Sequence, residues 1–351
     1  MKTSLISLVL LMSGLLTGQA FGNSELTSSH GTILVYHHVS EHTPPSTTIS
    51  PEKFKEHLLF LKANHSVVPL TEMIEKLKSG QPLPDMAVAI TFDDGFANIL
   101  KNAHPLLLEF GFPYTIFVNP DTVGSGKAHI SWPELKTMSQ QGALIANHYL
   151  DHRHMLQGSE KADWLKITRQ NILAAEAAIE EKIGFSPGYL AYPFGEYNAE
   201  LADLVNEMGL IGFAQHSGGV GLHTDFTQVP RFPAAGIYSN LKTLKVKLSS
   251  LAMPVLNGSI TDPAFYQAPE LHYSLEIDTG DFYPSQLTCF FRGKSIDTSW
   301  SKNRVTVSSS EELKPGRSRV NCTAPSKSKP GRFYWHSQPW FIADKNGLWL
   351  D

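Results

Sequence analysis

Cysteine is nearly missing from this chain: 351 residues carry two, Cys289 and Cys322, both late. So few exclude a cysteine-rich scaffold. Their even number in an exported chain favours one disulfide, closing a loop of about thirty residues and worth ~3 kcal/mol on the chain-entropy account. Two free buried thiols are the alternative, and a two-thiol metal site lacks any ligand cluster nearby. Positive charge is not in excess either, with 29 basic against 33 acidic residues and a net charge of −4. Nucleic acid and anionic membrane surfaces are thereby poor main partners. No glycine-rich phosphate loop occurs, because Gly124-Ser125-Gly126-Lys127 has the wrong spacing. Long apolar runs are missing beyond one, Leu5 to Leu16, which is too short to span a bilayer. It follows Lys2 and precedes Gly18-Gln19-Ala20, so residues 1–20 read as a secretory signal with a small-x-small cleavage site. A retained N-terminal anchor is the alternative. The expectation is a secreted or periplasmic protein with no stable membrane insertion.

What the chain does contain is organised around Ala87-Val88-Ala89-Ile90-Thr91-Phe92-Asp93-Asp94-Gly95. Val88, Ile90 and Phe92 suit a buried strand, and two carboxylates follow at its C-terminal end, where α/β enzymes place their chemistry. Adjacent strand positions point to opposite faces, so the two acids should have different partners. The plain alternative is an Asp-Asp-Gly turn. A second run, Leu144-Ile145-Ala146, leads into Asn147-His148-Tyr149-Leu150-Asp151-His152. On one helical turn the two imidazoles would share a face and reach a single ion. With an Asp from another strand end they complete a two-nitrogen, one-carboxylate shell suited to hydrolysis.

The order Thr91-Phe92-Asp93-Asp94-Gly95, His148-x-x-x-His152, Tyr192-Pro193-Phe194-Gly195 resembles the polysaccharide deacetylase pattern (NodB homology, carbohydrate esterase family 4). The resemblance runs from about Ile33 to Leu251 and implies a distorted (β/α)7 barrel. The opening Val35-Tyr36-His37-His38 is similar to the branch acting on poly-N-acetylglucosamine.

The rest of the chain is consistent with that architecture. Strand and helix patterns alternate with short links, as a parallel sheet with helical crossovers requires. Thr32 to Tyr36 reads as a strand running into His37 and His38, and Ser50-Pro51-Glu52 opens a helix. Ile99 to Phe110 reads as a helix, Tyr114 to Val118 as a strand, and Trp164 to Ile183 as a long amphipathic helix stopped by Gly184. The pattern changes after Pro254. The barrel is expected over residues 21–252, a linker over 253–264, and a small all-β sandwich-like domain over 265–351, pinned by Cys289–Cys322. Aromatics between Phe333 and Phe341 form either its core or a sugar-stacking surface.

The resemblance implies a metal-dependent deacetylase removing N-acetyl groups from an amino-sugar polysaccharide: poly-N-acetylglucosamine, a chitin oligomer or peptidoglycan. Asp94, His148 and His152 would hold Zn²⁺, or Co²⁺ or Ni²⁺ in its place, to activate water. Asp93 would be the general base, and the Phe194 N–H would stabilise the oxyanion. Tyr192, Pro193 and His37 would line the substrate cleft. Three positions depart from the family pattern. Tyr149 follows the first ligand His where Ser or Thr is usual. Ala191 stands where an Arg usually steadies the base, a charge that Arg231 could supply. The late Leu-x-His element is missing, leaving His216, His223 and His37 as candidates for the general acid. An O-acetyl polysaccharide esterase and an inactive carbohydrate-binding protein are the alternative readings.

Overall fold

The computed structural model describes residues 27–350; the expected signal segment lies outside them. Its organising element is strand β1, His30–Tyr36, whose residues from Gly31 to Tyr36 are all buried. Strands β2 (Ala87–Phe92), β3 (Tyr114–Val118), β4 (Ala143–Asn147), β5 (Tyr189–Ala191) and β6 (Ile211–Phe213) follow it in parallel, each beside the last. Such strands are covered on both faces, which is why Ala-Val-Ala-Ile-Thr-Phe is continuously buried instead of alternating. Strand β7, Phe232–Pro233, returns to pair in parallel with β1, Phe232 opposite Leu34. Just before it, Val229 bridges to Phe213, so residues 229–233 link β6 back to β1 and the sheet curls on itself.

The helices that wrap the sheet begin and end where local chemistry dictates. In α1, Pro51–Asn64, the Ser50 side chain accepts from the Lys53 N–H, with Pro51 at the first position. Helix α2 is Leu70–Lys78 and α3 is His104–Phe110. A π-turn over Ile99–Ala103 precedes α3, so the expected single helix from Ile99 is two pieces. In α4, Trp132–Gln140, Ser131 and Glu134 form a capping box. Helix α5, Trp164–Ile183, buries Thr168, Ile172, Ala175, Ile179 and Ile183 and stops at Gly184 in the left-handed region. Asn198 caps α6, Ala199–Glu207, and Asn240 caps α7, Leu241–Leu248.

A second, β-rich region follows. Strand β8 (Ser250–Ala252) already belongs to its sheet, with β9 (Val255–Gly258), β10 (Leu271–Ile277), β11 (Thr288–Phe291), β12 (Lys294–Ser301), β13 (Arg304–Ser309), β14 (Gly316–Pro325) and β15 (Phe333–Ile342). Strand β12 pairs with β11 through its first residues and with β13 through its last. The two halves therefore fold about β12 and close on a shared core containing Tyr273, Leu275, Phe291, Val320 and Trp340. Cys289 and Cys322 lie opposite each other on β11 and β14 and are bonded. The aromatic stretch is divided: Trp340 is in this core, whereas Trp335 meets Phe232 of the barrel edge to face, centroids 5.3 Å apart. No helix among the described residues is long and apolar enough to cross a membrane.

Candidate metal centre

Register builds the site. Tyr36 pairs with Phe92 in the parallel β1–β2 ladder, so the next residues, His37 and Asp93, emerge side by side. The Asp93 N–H continues the ladder to the Tyr36 carbonyl at 3.0 Å. On the far side, Val118 pairs with Asn147 and Asn147 with Leu190, which places His148 between the ends of β3 and β5. Strand ends alone thus gather three of the expected site residues on one rim.

The chain then bends sharply at three non-glycine residues with positive φ: Asp94 (+71°), Tyr149 (+70°) and Phe194 (+60°). Each costs on the order of 1–3 kcal/mol, strain that clusters at functional sites. At Asp94 the bend turns the carboxylate away from its neighbour's environment. At Tyr149 it is held by Asn147, whose side-chain oxygen accepts from the Tyr149 N–H at 2.7 Å and whose amide donates to Glu176 Oε1 at 2.7 Å. His152 follows on irregular backbone, so the expected shared helical turn is not how the imidazoles meet. Tyr149 itself points into the core, where its hydroxyl accepts from Asn171 at 2.9 Å.

Asp94, His148 and His152 each offer one ligand atom, all within 4.8 Å of one another. Both His148 Nε2 and His152 Nε2 lie 3.2 Å from Asp94 Oδ1. His148 Nδ1 is 2.8 Å from the Ala191 carbonyl, which can only accept, so the ring proton sits there and the Nε2 lone pair faces the carboxylate. Asp94 Oδ1 and His148 Nε2 are buried with no hydrogen-bond partner, although at 3.2 Å they would count as an ion pair were the ring charged. Converging lone pairs repel unless a cation, a metal ion or a proton, lies among them. Burial opposes charge on His148, but Asp93 and Asp94 outweigh it and raise its proton affinity. His152 is pushed down to about 4 by burial and by His148, so its ring is neutral at pH 7. The set attracts positive charge and offers two imidazoles and one carboxylate, the donor set of a divalent-metal site.

Asp93 has a different environment. Although burial raises its pKa, Arg231 and the neighbouring imidazoles hold it below the usual carboxylate range. Arg231 meets it with both fork nitrogens, Nη1 to Oδ1 at 2.7 Å and Nη2 to Oδ2 at 2.8 Å, both side chains fully buried. The guanidinium also donates to the Ala214 carbonyl and lies over the Phe117 ring, centroid 5.3 Å away. Gln215 donates to Asp93 Oδ2 at 3.4 Å, and His37 Nε2 stands 4.0 Å from the same oxygen.

Other expected site residues fall elsewhere. Tyr192 has no exposed surface, and its hydroxyl donates to the Thr227 carbonyl at 2.6 Å, so it cannot touch substrate as expected. Pro193 is buried beside it. His216 joins neither carboxylate; with Tyr197, Gln228, Trp335 and His336 it lines a separate cavity of about 330 Å³ between the barrel and the second region. His223 lines that cavity too. Phe194 does reach the rim: its ring stacks on His154 (4.0 Å, 10°) and meets His152 edge-on at 4.5 Å. Asn147, Asn119 and Gln215 were not foreseen. Asn119, which donates to the His148 carbonyl, is the residue directly after strand β3, the same strand-end signal that marked Asp93.

Known proteins resemble this chain. Residues 80–212 match a family model described as polysaccharide deacetylase. A putative polysaccharide deacetylase, YxkH, of Bacillus subtilis (strain 168) is 28% identical over 185 residues, covering 50% of this chain and 61% of the relative. The chain thus spans about three fifths of that relative's length. The poly-beta-1,6-N-acetyl-D-glucosamine N-deacetylase of Staphylococcus aureus (strain MRSA252) is 26% identical over 194 residues, 52% of this chain and 67% of the relative. Among solved structures, IcaB from Ammonifex degensii superposes with a TM-score of 0.55 at 22% identity, covering 63% of this chain and 97% of that one. The last likeness is one of fold.

Proposed function

We propose that this chain, whose residues 80–212 match the polysaccharide deacetylase family model, is a metal-dependent hydrolase that removes N-acetyl groups from an amino-sugar polysaccharide. Poly-N-acetylglucosamine is the substrate class favoured by the staphylococcal relative. The observation that carries the reading is the convergence of Asp94, His148 and His152, with Asp94 Oδ1 and His148 Nε2 buried and without a hydrogen-bond partner, beside the buried Asp93–Arg231 pair.

Two adjacent carboxylates divide the work because their surroundings differ. Asp94 turns one oxygen toward two imidazole nitrogens and is the carboxylate that would hold the ion. Asp93, locked by Arg231, is ionised at neutral pH, the state a general base must have. Its low proton affinity means that it takes a proton only from an acidified water. Asp94, His148 and His152 would hold a divalent ion, zinc being the best match to that donor set, and when bound it would supply Lewis acidity to water and to the acyl oxygen. Arg231 fixes the direction of the Asp93 oxygens, so the proton acceptor needs no reorientation. The Phe194 ring meets His152 at the rim, and the Phe194 N–H is assigned to the developing oxyanion. Of the imidazoles considered for protonating the leaving amine, His37 is the one that stands within the site, 4.0 Å from Asp93.

A disulfide in a carbohydrate-active protein suits an oxidising compartment, and we place the enzyme outside the cytoplasm. The test is acetate release from poly-N-acetylglucosamine, chitin and peptidoglycan fragments, with acetylxylan alongside, before and after chelation. Chelator-sensitive release from an amino-sugar substrate is expected. Release from acetylxylan alone, or full activity in the metal-stripped protein, would overturn the reading.

A further inference from the structure

The second region reaches into this site. Strand β14 leaves a turn at Gly316 (φ +102°), and its next side chain, Arg317, crosses to the barrel, 123 positions away in sequence. There its Nη1 donates to the Phe194 carbonyl, and its guanidinium carbon lies 5.8 Å from the Phe194 ring centre. Strand β14 also sends Arg319 toward the Tyr238 hydroxyl, at 3.4 Å, so the strand grips the barrel at two points.

Phe194 needs such a grip. At φ +60°, ψ 0° it occupies a conformation that side-chain-bearing residues avoid, and only surrounding contacts keep it there. Its ring is packed between His154 and His152. The following Gly195, φ +72°, backs so closely onto Gln215 that a Cβ would come within 2.6 Å. Glu196, 1% exposed, accepts from His154 Nδ1 at 2.8 Å and attracts the Arg317 guanidinium. The packed ring fixes the side chain and Arg317 fixes the carbonyl, so the N–H on the same Cα has one direction.

We propose that Arg317 is a positioning residue of the active site: the β-rich region completes the rim by locking the Phe194 backbone toward the reacting acyl group. The kinetic consequence rests on the deacetylase reading, whereas the lock itself does not. In Arg317→Ala, kcat should fall about tenfold, less than the 10²–10³ lost when an oxyanion donor is removed outright, because the amide is loosened and not deleted. KM, bound zinc per chain and the thermal midpoint should stay close to the parent's. Arg317→Lys should recover most of kcat, since an ammonium also donates to a carbonyl. In phenylalanine-labelled protein the Phe194 amide resonance should shift and broaden in Arg317→Ala and return in Arg317→Lys. An unchanged kcat in an active parent would overturn the proposal, as would a loss that tracks the thermal midpoint and is not rescued by Lys. If the parent itself released no acetate, the functional reading would fail, and the amide resonance would still decide whether Arg317 holds Phe194.

Discussion

Two groups of histidines in this molecule have opposite fates. Around the candidate metal centre, His37, His148 and His152 face Asp93 and Asp94. In the cavity between barrel and second region lie His216 and His336, with Arg319 near His216, and no carboxylate raises their proton affinity. Burial and, for His216, the neighbouring His336 and Arg319 push it down to about 3; burial pushes His336 down to about 4. Asp225 lines the same cavity but spends both carboxylate oxygens on Thr227 and Gln228. Imidazoles make a candidate site only where a carboxylate keeps an unsatisfied oxygen pointing at them.

That contrast breaks most visibly at Asp94. Asp94→Ala should lose bound metal and all detectable acetate release, whereas Asp93→Asn should keep the metal and lose roughly 10²–10⁴-fold in kcat, the range of a general base. Elemental analysis beside an acetate assay separates them; equal metal loss in both would show that the two acids are not distinct. Next in size is Arg231→Ala, which strands the Asp93 charge in a buried setting and should cost about 3–5 kcal/mol in denaturant unfolding. A loss below about 1 kcal/mol would mean that water enters and solvates Asp93. The smallest effect belongs to the second group. His216→Ala should leave metal content unchanged and acetate release within about twofold, since its ring lies in the other cavity. A His216→Ala variant as inactive as His148→Ala would erase the distinction.

The same rings predict an acid limit to stability. Buried His57, at about 4, joins His336 in resisting protonation in the folded state, through burial first. Below the unfolded value near 6.5 the unfolded chain binds protons that the folded rings refuse, so stability falls with pH from about 6.5 to about 4. Thermal midpoints from pH 7 to 4.5 should decline; a flat profile would mean the folded rings protonate freely.

Local pattern carried the sequence reading as far as local pattern determines structure. Ala87–Phe92 and Ala143–Asn147 are apolar runs that end abruptly in polar residues, and such runs become strand ends on one rim. Arg231 could be offered as a charge for Asp93 because it too follows a short strand pattern, and the two side chains do meet. His148 and His152 were spaced as on a helix, but a left-handed residue at Tyr149, pinned by Asn147, brings them together over a loop. Tyr192 looked like a cleft residue from its motif, yet its hydroxyl finds Thr227 in the core. Arg317 carried no signal at all. A contact across 123 positions has no periodicity, and it exists because β14 and β15 settle against the barrel.

The pairing of β15 has a temporal side. Phe333–Trp335 lie beside Ser250–Ala252, and Phe341 packs on Tyr197, so the seam between the two regions is sealed by residues that leave the ribosome well after the barrel strands. The barrel strands are synthesised long before, and domains fold from the N-terminus as they emerge. The Phe194 corner therefore waits, half-built, for a guanidinium made more than a hundred residues later.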